Sequence, residues 1–519
     1  METVNLGPVI VAGSFPNSSW DVGKTYTQDL NGDGIDEILF VGGVSMGPNT
    51  SLYIFGWQDG HLQNITSQWF PNESNRVEGV GTVVYGDFNG DHTIDALLTA
   101  YNDMGSAFHT YALINQGDHF NKVDLGLAAL QHGATVYDIN HDGYADAITT
   151  GWGYSNGSTT VYMGSAAGLT TYTISAQSRY STGGAGIALG DFLGNGTTTA
   201  VITDHQTSST HTAADTTLMK ITLNESAHTF DLTPISTLPI PILENNMLNP
   251  LGKSLDIRAE TIDFNRDGLL DVMVFSRADF NGTIWPDLSA VQFLKNLGSG
   301  KFEDSTSMML SGYKNNTNAS YTPEFGDFNN DGLLDMFLSG RNTPGISTFH
   351  DSTTLLLQQS DGSFLDTGRT TLSAAVNSVV GLATIAHGPD GKIFLVTEVV
   401  PFSGGLVTVS SQEMTVGAVS TNQYIVDGTW TGIIPTVDNW IDMGAGDRDI
   451  IRSYITMPDA LALASRFTPE QRITLSAENT AWIAQGHIMH DVGSAIPLVV
   501  IDYPHQSHLE ILPTNYNWA

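Results

Sequence analysis

The sequence predicts an all-β fold: a seven-bladed β-propeller over residues 1–415, followed by a smaller β-rich region with some α over residues 416–519. Three observations predict it. An Asp-rich nonapeptide recurs along the chain, a short apolar run follows each intact copy, and aromatic-rich runs ending in Gly turns come later in the units. Long helical periodicity is absent from residues 1–415, so the units read as strands and turns.

The nonapeptide is intact in five copies: Asp29-Leu-Asn-Gly-Asp-Gly-Ile-Asp-Glu37, Asp87-Phe-Asn-Gly-Asp-His-Thr-Ile-Asp95, Asp138-Ile-Asn-His-Asp-Gly-Tyr-Ala-Asp146, Asp263-Phe-Asn-Arg-Asp-Gly-Leu-Leu-Asp271 and Asp327-Phe-Asn-Asn-Asp-Gly-Leu-Leu-Asp335. A sixth copy, Asp191-Phe-Leu-Gly-Asn-Gly-Thr-Thr-Thr199, lacks acids at its fifth and ninth positions. In a seventh, within residues 386–394, only Asp390-Gly391 survives. The first six copies start at 29, 87, 138, 191, 263 and 327, giving steps of 58, 51, 53, 72 and 64 residues. A unit of this length holds about four short strands with their turns, which is one propeller blade. A β-solenoid would have shorter, more uniform repeats, and a row of β-sandwich domains would need units nearer about 100 residues.

The flanks agree with the repeat. Apolar runs follow the loops at residues 38–41, 96–99, 147–150, 272–275 and 336–338. Later in three units, residues 51–57 precede Asp59-Gly60, residues 291–296 precede Gly298-Ser-Gly300, and residues 354–359 precede Asp361-Gly362. Strand, Gly turn and strand make a hairpin. The N-terminal run at residues 8–12 is expected to pair into the last blade and close the ring.

The loops carry the donor set of a calcium site. Calcium is a hard cation that takes six to eight oxygens in a flexible shell. In the first loop Asp29, Asn31 and Asp33 alternate, so a tight turn can aim all three inward. Gly34 permits the turn. The main-chain carbonyl of Ile35 and the side chain of Glu37 complete the set. The other loops supply Asp87, Asn89, Asp91, Thr93 and Asp95; Asp138, Asn140, Asp142, Tyr144 and Asp146; Asp263, Asn265, Asp267, Leu269 and Asp271; and Asp327, Asn329, Asp331, Leu333 and Asp335. About five Ca2+ ions are therefore expected. Without an ion, each cluster should repel itself and raise its own pKa values. The competing reading is turn chemistry without metal, since Asp, Asn and Gly all favour turns. Five copies that each end in an acid favour the cation. An EF-hand is excluded, because its twelfth-position Glu is replaced by Phe40, Leu98, Thr149, Val274 or Leu338 and no helix follows. Two departures stand out: His92 sits where Gly is usual, and Glu37 where Asp is usual. The sixth copy is expected to hold no ion.

Gly86-Asp87-Phe88-Asn89-Gly90-Asp91 and Gly326-Asp327-Phe328-Asn329-Asn330-Asp331-Gly332 resemble FG-GAP/VCBS repeats, the repeats of integrin α-subunit heads, a fungal propeller lectin and many bacterial surface proteins. The resemblance spans about residues 20–400. It implies a calcium-loaded propeller, seven-bladed in its usual form. It says little about the ligand, because this scaffold serves adhesion, sugar binding and enzyme accessory roles alike.

Composition narrows the partners. With 19 Lys+Arg against 54 Asp+Glu, the formal net charge is −35, which repels phosphate backbones and anionic headgroups, so no nucleic-acid partner is expected. There is no cysteine, which rules out disulfides, thiolate zinc and a Cys nucleophile. The Cys-free, Asn/Gly/Thr-rich composition leans toward a bacterial extracellular protein. No run approaches the ~18 apolar residues of a membrane span. Residues 1–15 lack a basic region followed by an apolar core, so no signal peptide is expected; a secreted or cell-surface location would mean another export route, a mature segment, or a piece of something longer.

From about residue 418 the repeats stop. Trp430, Trp440 and Trp482 appear there, with a helix start at Thr468-Pro469-Glu470-Gln471. Residues 443–451 loosely match an RTX nonapeptide, but Arg448 stands at the ligand Asp position. His487, His490, His505 and His508 are close enough in sequence to suggest zinc, yet on strands an i, i+3 pair faces opposite sides, so surface histidines are the better reading. Several N-x-S/T sequons, such as those at Asn17, Asn64, Asn72 and Asn281, are what chance gives in this composition. No phosphate loop, G-x-S-x-G elbow or H-E-x-x-H pattern occurs. Three functions stay open: a binding or adhesion module for a glycan or protein ligand on a cell surface or matrix, a polysaccharide-active hydrolase or lyase on the same scaffold, and a structural spacer or surface-layer component.

Overall fold

Each intact nonapeptide loop joins two antiparallel strands, and the strand after it is a short apolar run flanked by neighbours on both faces. Glu37–Gly42, Asp95–Ala100 and Asp146–Gly151 are buried at every position. A strand shielded on both sides needs no polar alternation, which is why these runs follow the loop acid with apolar residues and buried threonines such as Thr99, Thr149 and Thr150. The computed structural model describes the strands and most turns of residues 4–416 and, beyond them, residues 455–456, 498–502 and 508–513.

The fold is mostly β. Five sheets of four to six strands make a propeller-like ring, accompanied by one eight-stranded sheet. The second unit shows the pattern, with Val80–Gly86, Asp95–Ala100, Phe108–Asn115 and Phe120–Ala128 paired in sequence order. The first strands of consecutive units lie side by side: Val80–Gly86 neighbours Gln131–Tyr137, which neighbours Ile187–Gly190, which neighbours Ser254–Ile262. They approach closely. A Cβ on Gly186 would come within 2.4 Å of the Arg258 Cα, so only glycine fits there.

The eight-stranded sheet holds the third and fourth repeat units. Their outermost strands, Thr170–Ile174 and Thr229–Thr237, pair in parallel through Thr173 with Thr229 and Ile174 with Phe230. Their first strands also neighbour each other, so the sheet nearly closes on itself. The N-terminal expectation holds: Ile10–Asn17 pairs antiparallel with Gly405–Val416, and Val4–Leu6 pairs with the end of the same strand. The last sheet therefore contains both ends of the repeat region.

Seven apolar clusters fill the gaps between consecutive units. One joins the first and second units through Tyr26, Leu39, Trp69, Tyr85 and Phe120. Another joins the seventh to the first through Ile38, Phe40, Phe55, Ala386, Val396 and Val409, which completes the ring. Burying such side chains yields roughly 1.5–3 kcal/mol each. Every unit thus needs both neighbours to cover its faces, the defining property of a repeat fold.

Beyond the ring, His508–Pro513 pairs with Ile455–Thr456 and Leu498–Asp502 in a three-stranded sheet. The helix start at 468–471, the RTX-like stretch at 443–451, the three tryptophans, and His487, His490 and His505 lie outside the described residues. His508 begins a described strand. Among the described residues no helix is long and apolar enough to cross a membrane.

Candidate metal-binding loops

All the nonapeptides lie between the first and second strands of their units, so they gather at one end of the sheets. Their shape is set by main-chain hydrogen bonds to acidic side chains. In the first loop one Asp29 carboxylate oxygen accepts the N–H of Gly32 at 2.7 Å and of Asp33 at 3.1 Å, and the other accepts Gly34 at 2.7 Å. Asn31 Oδ1 accepts Asp33 N–H at 2.9 Å, and Asp33 accepts Ile35 N–H at 2.9 Å. Glu37 accepts Leu30 N–H and the Asn31 side-chain amide, each at 2.9 Å.

The other four intact loops repeat this scheme. The first-position acids Asp87, Asp138, Asp263 and Asp327 each accept the N–H groups of the fifth and sixth positions. Asn89, Asn140 and Asn329 accept the fifth-position N–H. Asp91, Asp142, Asp267 and Asp331 accept the N–H of Thr93, Tyr144, Leu269 and Leu333. At the ninth position Asp95, Asp146 and Asp335 accept the second-position N–H at 3.1, 2.8 and 3.0 Å. In the fifth unit Asp271 instead accepts the Asn265 side chain at 2.7 Å. These hydrogen bonds hold the acids of all five loops together, with one departure: Asn265 accepts no fifth-position N–H, and its buried Oδ1 has no hydrogen-bond partner.

The sixth position needs a left-handed backbone. Gly34, Gly143, Gly268 and Gly332 have φ of 82°, 94°, 83° and 81°. His92 takes the same conformation at φ 68°, so the departure noted in the sequence is absorbed as backbone strain rather than by reshaping the turn. Its Nδ1 lies 3.7 Å from Asp87.

The carboxylates are gathered and buried. Glu37 is raised to about 8, first by burial and then by the charges of Asp29, Asp33 and Asp36, against the hydrogen bond from Leu30. Asp29 is raised to about 6, with burial again the main cause. Burial likewise lifts Asp95 to about 8 and Asp271 to about 9, with the first- and fifth-position acids of their own loops adding to it. Asp146 and Asp335 move well upward for the same reasons, and Asp87 and Asp138 move upward. The expected rise is present, but burial outweighs the mutual repulsion that the sequence suggested. In the fifth unit a cation already stands at the loop, with Lys295 Nζ 3.1 Å from Asp267.

Among the described residues no group of three or more His, Asp or Glu side chains is itself arranged to hold a metal ion. A shell here would have to draw on Asn31 and its counterparts and on main-chain carbonyls as well as the acids. An all-oxygen mixture of carboxylate, amide and carbonyl suits calcium and not zinc.

The sixth copy is an internal control. Asp191 accepts the N–H of Asn195 at 3.1 Å and of Gly196 at 2.6 Å, and Gly196 has φ 79°. Thr199 Oγ1 stands in for the ninth acid, 3.4 Å from Phe192 N. The seventh loop is reduced to a short turn over Pro389–Gly391, and the carbonyl of its neighbour His387 accepts the Asp36 N–H at 2.9 Å.

A propeller-like series of small sheets, all but the last with the Asp-led turn at the same end, defines a repeat scaffold of the propeller class. In two regions the repeat can be named: residues 29–98 and 258–338 match the FG-GAP-like repeat. Those regions contain the loops that begin at Asp29, Asp87, Asp263 and Asp327. No curated protein matches the chain. Among solved structures, the chain is similar to the Photorhabdus luminescens Tc holotoxin pore at 14% identity and a TM-score of 0.32, covering 72% of this chain and 17% of that one. It is also similar to the S. cerevisiae core factor at 11% identity and a TM-score of 0.38, covering 83% of this chain and 63% of that one. The chain thus spans only part of either, and neither bears on what the loops do.

Proposed function

We propose that the chain is a seven-bladed FG-GAP propeller whose five intact loops bind calcium and hold the blades as a rigid extracellular binding platform. Counting the eight-stranded sheet as two blades accounts for the seven inter-unit cores. The observation that carries the calcium reading is the buried acid at the ninth position of each loop. Its ionised form is opposed by burial and by the first- and fifth-position charges. A divalent cation removes that penalty. The ligands are Asp29, Asn31, Asp33, Glu37 and the Ile35 carbonyl, with their counterparts in the other four loops. Extracellular modules bind calcium at roughly 10⁻⁴–10⁻³ M, so a secreted or cell-surface protein would be loaded after export. The platform's ligand is a glycan or a protein on a cell surface or matrix.

A second reading is supported by the sixth copy. That loop makes the same Asp191 turn without acids at positions five and nine, so the turn itself needs no ion. On this reading the acids are hydrogen-bond acceptors only. Metal counting on protein dialysed against calcium separates the two. About five calcium ions per chain support the first reading, and none supports the second. A glycan array then tests the platform; binding to no glycan and no surface protein would leave a structural spacer.

A further inference from the structure

The third strands of the second, fifth and sixth units end in an amide side chain: Asn115, Asn296 and Gln358. All three are buried. The main-chain N–H of each donates to the ninth-position acid of its own loop, at 2.8 Å to Asp95, 2.7 Å to Asp271 and 2.9 Å to Asp335. The side chains reach across the seam to the preceding unit. Asn115 Nδ2 donates to Leu30 O at 2.6 Å and to Ile94 O in its own loop at 3.0 Å. Asn296 Nδ2 donates to Phe192 O at 3.1 Å and to Leu270 O at 2.9 Å. Gln358 Nε2 donates to Phe264 O at 3.1 Å, while its Oε1 accepts Leu334 N–H at 3.2 Å.

The pattern is the same each time. The acceptor across the seam is the carbonyl of the second residue in the preceding unit's loop, and the contact within the unit is to the eighth residue of its own loop. Asn115 and Asn296 also accept the N–H of Gly117 and Gly298, at 2.7 and 2.8 Å, which fixes the amide plane. A buried amide that serves two loops cannot leave one without stranding a main-chain carbonyl, or for Gln358 the Leu334 N–H, away from water.

We infer that Asn115, Asn296 and Gln358 are positioning residues that couple each loop to the loop of the preceding unit, so that ordering one loop orders its neighbour. Where that ordering comes from calcium, the inference rests on the calcium reading. The Asn296 seam does not, because its upstream loop at 191–199 lacks the acids at positions five and nine.

The test is hydrogen–deuterium exchange on the full chain, with calcium and with EDTA, for Asn115→Ala, Asn296→Ala and the surface control Asn121→Ala. Asn115→Ala should speed exchange roughly fivefold to tenfold in residues 29–37 as well as 87–95, the change that losing one or two hydrogen bonds gives. Asn296→Ala should do the same for 191–199 and 263–271 and leave 29–37 unchanged. Asn121→Ala should change neither pair. Should Asn115→Ala fail to fold, Gln358→Met, which keeps the side-chain volume and removes the donor, should speed 263–271. Exchange that rises only in the variant's own unit, or equally in every loop, overturns the coupling. If calcium leaves wild-type exchange unchanged, the calcium reading fails, and the Asn296 arm still decides the coupling.

Discussion

The loops at 263–271 and 191–199 share a shape and differ in charge. In both, a first-position Asp gathers the N–H groups of the fifth and sixth residues, and a glycine with positive φ turns the chain. Only the first carries acids at positions five and nine. The comparison separates two roles that the motif combines. The first-position Asp and the left-handed residue make the turn. The fifth and ninth acids add charge that the turn does not need, and burial opposes the charge of the ninth acid, Asp271, in the bare protein. On the proposed calcium reading, that charge is what the bound cation offsets.

The two kinds of loop should part most visibly when the cation is removed. With several weak sites emptied together, EDTA should lower the thermal midpoint by roughly 10 °C, read by calorimetry against a calcium-saturated sample. An unmoved midpoint would put all the loops in the class of 191–199.

The next effect is on pH dependence. In EDTA the folded-state pKa values of Glu37, Asp95 and Asp271 stand at about 8, 8 and 9, above their ordinary values. Between about pH 4 and pH 9 the folded state then binds more protons than the unfolded state, so stability falls as pH rises. The midpoint in EDTA should drop steadily from about pH 5 to about pH 9, and calcium should flatten the slope because it holds the carboxylates ionised. A midpoint that climbs with pH in EDTA would contradict the buried-acid picture.

Single substitutions probe the contrast loop by loop. Asp271→Asn should remove one bound calcium per chain, whereas Asp191→Asn should remove none, as counted by equilibrium dialysis. His92→Gly should raise stability by about 1 kcal/mol, measured by denaturant unfolding, since glycine takes positive φ without a Cβ clash. The slightest change falls at Lys295. Lys295→Met takes an ammonium away from Asp267 and should tighten calcium at the fifth unit's loop a few-fold in a calorimetric titration, within the modest worth of a partly exposed ion pair.

Much of this architecture is legible in the order of the residues. The strands after the loops fall at the apolar runs, as Asp95–Ala100 does around residues 96–99. The N-terminal run pairs into the last sheet. Each loop residue named from its spacing sits in its turn. Two features are not legible. The parallel contact between Thr173 and Thr229 merges two units into one sheet, and nothing local marks either strand for it. Asn115, Asn296 and Gln358 look like ordinary strand ends before a Gly turn. Their role depends on carbonyls far along the chain, 85 residues away for Asn115 and Leu30. The N-x-G spacing of Asn115 to Gly117 and Asn296 to Gly298 is the one available signal.

The turns, the repeat and the set of oxygen donors are written in the order of the amino acids alone. These are local properties: Asp, Asn and Gly at fixed offsets dictate main-chain hydrogen bonds within nine residues, and the apolar run after them dictates a strand covered on both faces. The remaining features come from tertiary packing. Tertiary packing buries Glu37, Asp95 and Asp271 deeply enough for desolvation to outweigh their hydrogen bonds and push them to about 8, 8 and 9. Only the seams bring an amide of one unit to the loop of another. Burial and cross-seam contact depend on which surfaces meet, and no single nonapeptide contains its neighbour.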